Sequence, residues 1–135
     1  MKKFLLEIIT PKGVYLHEEI NELYLKTSGG YIGIMANHDT LIAGVEIGPG
    51  FILKDNKKDY YAIFNGVLQV DKNIVRLIVS NIERADSIDK ARAKKAHERA
   101  TERLNKKGDT LDQKRAELAL KRAIARIGAV DRNFI

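Results

Sequence analysis

The 135-residue chain contains no cysteine. That excludes a disulfide scaffold and any cysteine-ligated zinc or iron–sulfur site, and it is compatible with a reducing compartment. No apolar run approaches the roughly 18 residues that a membrane span needs. Met1-Lys2-Lys3-Phe4-Leu5-Leu6 begins like a signal peptide, but Glu7 and Pro11 interrupt the apolar core and no small-residue cleavage site follows. The sequence therefore reads as a soluble protein without direct membrane insertion, which leaves attachment to a membrane complex open. Chemistry is equally sparse. His17, His38 and His97 lie on separate stretches without metal-ligand spacing, and no nucleophile–base–orienter set is legible. Neither GxxxxGK[ST] nor GxGxxG occurs, and Gly29-Gly30-Tyr31-Ile32-Gly33 sits between strand-like stretches without opening a helix. His38, in a loop, reads as a structural hydrogen-bonding residue. No catalytic residue and no metal site is expected.

What is present divides into two differently built halves. Residues 1–82 hold nine Lys+Arg and nine Asp+Glu, whereas residues 83–135 hold fifteen against nine, so the whole net charge of +6 sits in the second half. A basic module of this kind points to an anionic partner: a nucleotide, a nucleic acid or an acidic protein surface. The first half alternates apolar and polar residues with frequent glycines. Strands are expected over 4–10, around Val14 and Leu16, over 23–26, 31–35, 41–47, 51–53, 60–64, 67–70 and 75–79. Turns are expected at Pro11-Lys12-Gly13, Ser28-Gly29-Gly30, Asn37-His38-Asp39, Gly48-Pro49-Gly50, in the charged tip Asp55 to Asp59, and at Asn65-Gly66, the strongest hairpin signal. Short strands with turns every eight to twelve residues predict an antiparallel β-sandwich or barrel.

The second half predicts an antiparallel two-helix hairpin. Ala93, Ala96, Ala100 and Leu104 share one face of the first helix, for which Ser87 is the expected N-cap with Asp89 near the N-terminal dipole. Asn105 to Asp109 is a tight connection. Thr110 and Gln113 have capping-box spacing, the second seam is Ala116, Ala119 or Leu120, Ala123 and Ile127, and Gly128 suits the C-terminal stop. The division is residues 1–84 against 85–135. An alanine contributes one methyl, so this seam gains far less than the roughly 1.5–3 kcal/mol of a buried leucine, and the hairpin is expected to open or shift at low cost.

Arginine placement is the remaining signal. Arg92 and Arg99 lie two turns apart on one helical face, and Arg122 and Arg126 are at i and i+4 on the second helix. Guanidinium groups on two facing helices can converge on a polyphosphate through bidentate, charge-assisted bonds. A solvated basic face with Glu–Arg pairs is the other reading of the same spacing. Nucleic acid is disfavoured, because no aromatic residue lies between positions 83 and 133 to stack bases.

Ile34-Met35-Ala36-Asn37-His38, Gly44, Gly48 and Asn65-Gly66-Val67-Leu68-Gln69-Val70 in the first half are similar to a known pattern. Ile88-Asp89-Lys90-Ala91-Arg92-Ala93 and Lys114-Arg115-Ala116-Glu117-Leu118-Ala119-Leu120-Lys121-Arg122-Ala123 continue it in the second. Together, and in this order, they resemble the epsilon subunit of bacterial F-type ATP synthases over essentially the whole chain; Ala36 stands where that family commonly has proline. The resemblance implies a ten-stranded β-sandwich docked on the rotor stalk beside the gamma subunit and the membrane c-ring, at the cytoplasmic face of the bacterial cell membrane. It implies a non-catalytic subunit of a proton-translocating complex, with a C-terminal hairpin that is either folded down or extended. When extended, its basic helices would reach acidic segments of the catalytic beta subunits and block ATP hydrolysis. It further implies ATP as a regulatory ligand, not a cofactor, held by the motif Ile88-Asp89-Lys90-Ala91-Arg92-Ala93 together with Glu83, Arg99, Arg122 and Arg126. In that site Glu83 would accept a hydrogen bond from the adenine amine and Ile88 and Ala93 would form an apolar wall. A purely structural coupling subunit, with helices that touch only protein, is the alternative.

Overall fold

A computed structural model describes residues 2–106 and 108–134; Lys107, at the expected hairpin tip, lies outside the described residues. Ten strands come first: β1 Phe4–Thr10, β2 Gly13–Ile20, β3 Glu22–Thr27, β4 Gly30–Ile34, β5 Leu41–Val45, β6 Gly48–Lys54, β7 Lys57–Ile63, β8 Gly66–Asp71, β9 Ile74–Val79 and β10 Ile82–Arg84. They form one sheet in the order β10-β7-β6-β3-β5-β8-β9-β1-β2, with β4 paired to β3. Because β3 and β5 meet at the single pair Thr27↔Val45, the sheet curls there over one core. Alternation decides what enters that core. Phe4, Leu6 and Ile8 point inward from β1, Leu23 and Leu25 from β3, and Val75, Leu77 and Val79 from β9, each at most 4% exposed. A helical hairpin follows, α1 Lys90–Asn105 and α2 Thr110–Asp131, as expected.

Several local expectations are corrected. The sheet is not wholly antiparallel, because β1 runs parallel to β9 with Leu6 opposite Val75 and Ile8 opposite Leu77. Asn65-Gly66 makes no hairpin: β7 pairs with β6 and β10, whereas β8 pairs with β5 and β9. Its glycine serves close approach instead, since a Cβ at Gly66 would collide with the Ile78 carbonyl oxygen of β9. Gly48-Pro49-Gly50 is strand and not turn. All three residues are buried, and a Cβ at Gly50 would strike the Tyr24 carbonyl oxygen of β3. The charged tip narrows to Asp55 and Asn56, both with positive φ (51° and 66°), which is the conformation a two-residue hairpin requires.

Helix ends are capped by aspartates one residue or more from the expected positions. Ser87 closes a 3-10 turn at Ala85–Ser87 by donating to the Arg84 carbonyl (2.8 Å), and Asp89 is the N-cap of α1, accepting from the Arg92 amide at 3.1 Å. Asp109 caps α2 through the Asp112 amide (2.8 Å), so Thr110 and Gln113 form no capping box; Gln113 Nε2 reaches the Lys106 carbonyl at 2.8 Å. Gly128 does not stop α2. The helix runs on to Asp131, and Arg132 takes the left-handed terminal conformation with φ 55°. Gly128 is needed for packing instead: a Cβ there would lie 2.9 Å from Pro49 Cγ and 2.7 Å from the Asn133 carbonyl oxygen.

Every buried residue of the two helices is alanine or glycine: Ala93 and Ala100 on α1, and Ala116, Ala123, Ala125, Gly128 and Ala129 on α2. Ala125 and Ala129 turn to the sandwich, where they join Ile47, Ala62 and Phe64 in a small second core with Ala85 and Ile88 at its edge. Lys90 Nζ, at the start of α1, pairs with Asp131 at the end of α2 (2.6 Å). No helix among the described residues is long and apolar enough to cross a membrane.

A candidate ligand cleft between the hairpin and the sandwich

The cleft forms where the chain leaves the sheet. Glu83 and Arg84 are successive residues of β10, so they leave on opposite sides. Arg84 turns to Asp59 (3.0 Å) and Asp86 (3.3 Å). Glu83 turns to α2 and receives a fork from Arg126, Nε to Oε1 at 2.8 Å and Nη2 to Oε2 at 3.1 Å, while Asn81 Nδ2 donates to Oε2 at 3.1 Å. The Arg126 guanidinium carbon also lies 5.1 Å from the centre of the Phe64 ring, so this arginine is fixed from two directions. The 3-10 turn then reverses the chain, and Ile88, in extended conformation (φ −90°, ψ 128°), places its side chain against the second core.

From the Asp89 cap, α1 rises along the other wall. Helical spacing puts Asp89, Arg92, Ala93, Ala96 and Arg99 on one side. With Glu83, Ser87, Ile88 and Arg126 they line a cleft of about 630 Å³, within the range of small-molecule sites. Of the eight residues singled out above, Glu83, Ile88, Asp89, Arg92, Ala93, Arg99 and Arg126 meet here. Arg122 does not. It is exposed one turn before Arg126 and does not line the cleft, because only Arg126 is drawn down by Glu83. Ser87 and Ala96 were missed as lining residues. The signal for Ala96 was present, since it sits three residues after Ala93 on the expected seam.

The electrostatics favour an anion. Three arginines face two carboxylates across the cleft, and both carboxylates are engaged, Glu83 by Arg126 and Asp89 by the helix end. Among the described residues, the Arg92 and Arg99 side chains have no ion-pair partner. Two uncommitted guanidiniums, Arg92 in the first turn of α1 and Arg99 two turns further on, with Ile88 and Ala93 as an apolar patch, suit a ligand that is anionic at one end and apolar at the other. The histidines do not meet: His38 lies in an exposed loop with Nδ1 2.8 Å from the Asp39 carbonyl, and His17 lies near Glu7 at 3.9 Å. Among the described residues no group of three or more His, Asp or Glu side chains is placed to hold a metal.

Comparison with known proteins agrees with this architecture. Residues 3–85 match the family described as "ATP synthase, Delta/Epsilon chain, beta-sandwich domain", and residues 86–131 match "ATP synthase, Delta/Epsilon chain, long alpha-helix domain". The ATP synthase epsilon chain of Staphylococcus saprophyticus is 40% identical over 110 residues, covering 81% of this chain and 82% of that one. The epsilon chain of Desulforamulus reducens is 36% identical over 126 residues, covering 93% and 96%. Among solved structures, a chain of the Euglena gracilis mitochondrial ATP synthase (OSCP/F1/c-ring) superposes with a TM-score of 0.81 at 22% identity, over 88% of this chain and 76% of that one. A chain of the Tetrahymena thermophila mitochondrial ATP synthase central stalk and c-ring gives 0.63 at 18% identity, over 96% and 97%.

Proposed function

The chain belongs to the ATP synthase delta/epsilon family as a bacterial F-type epsilon subunit, and on that premise we propose that its cleft is an ATP-sensing site that holds the hairpin down on the sandwich. The observation that carries the proposal is the convergence of Arg92 and Arg99 from α1, Arg126 from α2 and Glu83 from β10 on one cleft. These groups come from three elements, so the site is complete only while the hairpin is docked. A ligand bound there is bound to one state, and it shifts the equilibrium by its differential affinity.

In the assembled enzyme the subunit is non-catalytic. It couples rotation to proton flow, and its hairpin restrains ATP hydrolysis when ATP is scarce. Released, α2 would present Lys114, Arg115, Lys121 and Arg122, all exposed, to acidic segments of the catalytic beta subunits. The sandwich supplies the rotor contact. On the outer face of β5, β8 and β9, Val67 stands opposite Ile78, and Ile42 is two residues from Gly44, which pairs with Val67. Ile42 is 75% exposed and Val67 and Ile78 40% each, an apolar strip suited to the gamma subunit. Docked on the stalk beside the c-ring, the subunit would sit peripherally at the cytoplasmic face of the membrane.

The structural-coupling reading keeps one specific support: the Glu83–Arg126 pair is a direct protein contact that joins hairpin to sandwich. Calorimetric titration of the full chain with ATP separates the two. Saturable one-to-one binding that is weakened at least about tenfold in Arg92→Ala is expected. Absence of binding at millimolar ATP would leave the coupling role alone.

A further inference from the structure

Tyr24, Phe51 and Tyr60 stand opposite one another across β3, β6 and β7. Their chain neighbours Leu23, Leu25, Ile52 and Tyr61 point into the core, so these three rings point out. Tyr31 of β4 stacks on Tyr24 with centroids 5.1 Å apart, and Tyr24 stacks on Phe51 at the same distance. The sheet therefore carries a ladder of aromatic rings on its outer face, a surface that soluble domains seldom leave uncovered.

Its cover is the end of the chain itself. Phe134 is the one aromatic residue after Phe64, and its ring lies 5.7 Å from both Tyr24 and Tyr31, 6.1 Å from Phe51 and 5.9 Å from Tyr60, on which it stacks. The segment before it is shaped to deliver it. Arg132 breaks α2 in the left-handed conformation and sits over the Tyr60 ring at 4.9 Å, the Asn133 amide donates back to the Gly128 carbonyl (2.9 Å), and Gly128 lets the helix lie against Pro49.

We propose that the aromatic ladder is a docking seat for Phe134, and that seat and C-terminus together form a latch holding the hairpin on the sandwich whether or not the ligand cleft is filled. The latch lies eight residues beyond Arg126, and none of its rings lines that cleft. The alanine seam gives the hairpin little hold of its own, so one well-packed ring decides a large share of the docking equilibrium. The latch sets how far the hairpin is biased before any ligand acts, and hence how much ligand is needed to close it.

The test uses the nucleotide-free full chain, which has no native cysteine, labelled for distance measurement through Lys12→Cys and Leu118→Cys at exposed positions. In Phe134→Ala the undocked-to-docked ratio is expected to rise about tenfold, the loss of one buried aromatic contact set. Phe134→Tyr, which keeps the ring, retains the parent distribution. Gly128→Ala behaves like Phe134→Ala, although alanine is the better helix former. An unchanged distance distribution in Phe134→Ala overturns the proposal. So does loss of the sheet's circular dichroism in that variant, because it would make Phe134 part of the sandwich core and not a latch upon it.

Discussion

The two halves of the molecule are held together by different means. In the sandwich, Leu6, Ile8, Leu23, Leu25, Leu68 and Leu77 are fully buried, and each contributes on the order of 1.5–3 kcal/mol. In the hairpin the buried residues are alanines and one glycine, worth about one methyl each or nothing. Large side chains that interdigitate cannot be separated without a heavy cost, whereas flat alanine faces can part. The same chain thus pairs a rigid carrier with a module held by a few discrete contacts: the Lys90–Asp131 pair between its own helices, and the Glu83–Arg126 fork and the Phe134 ring against the sandwich.

The sharpest way to break this contrast is to damage each half equally. Leu77→Ala in the sandwich should destabilise the protein by about 2–5 kcal/mol. Ala123→Gly in the helical seam should cost only about 1 kcal/mol, mostly helix propensity. Denaturant melts of both variants check this, and similar losses would erase the distinction. A chain ending at Ser87 should likewise keep a cooperative melt, with its midpoint lowered because Phe64, Ile47 and the aromatic ladder lose their cover. Non-cooperative melting would show that the sandwich depends on the hairpin.

Next in size comes the cleft. Arg92→Ala should weaken ATP binding by roughly 1.5–3 kcal/mol, about ten- to a hundredfold, through loss of a charge-assisted phosphate contact. Arg122→Ala should change it by well under tenfold, because Arg122 does not line the cleft. Calorimetry distinguishes them, and equal losses would mean that α2 rotates when the ligand enters.

A smaller effect is expected in alkali. Burial, with a lesser contribution from Tyr24, raises Tyr31 from its ordinary value near 10 to about 12, and burial followed by Tyr15 does the same for Tyr61. Both phenols are held neutral by the fold, so the stability they lend is complete below pH 10 and is lost as pH rises toward about 12. Tyr31 also donates to the Pro49 carbonyl at 2.9 Å, beside the latch, and ionisation removes that donor. Melting midpoints between pH 9 and 12 should therefore fall less in Tyr31→Phe than in the parent.

Much of this was legible in the sequence because alternation and helical spacing are local. The strand over residues 4–10 and the seam Ala93, Ala96, Ala100 need no partner to be read. What escaped depends on distant chain. Asn65-Gly66 has the composition of a hairpin turn, but its glycine answers to the Ile78 carbonyl of another strand. Gly48-Pro49-Gly50 reads as a turn until α2 lies on it. Asp89 and Asp109 displaced Ser87 and Thr110 because a carboxylate at the right backbone position caps as well, and local spacing does not choose between neighbours. At the cleft, the i, i+4 rule groups Arg122 with Arg126, yet only the residue facing Glu83 is drawn in. Phe134 carried no periodic signal at all; its meaning lies in four rings from four other strands.

The central claim is that the hairpin is gated by a ligand that binds only its docked state. It is tested most directly by a distance probe between Lys106 at the end of α1 and Lys57 on the sandwich, in the assembled enzyme complex. At about a hundred times its dissociation constant, ATP should favour the docked state by roughly 2.7 kcal/mol. A broad or long distance without ATP should then collapse to a single short one with it. The same distance distribution with and without saturating ATP would contradict the account.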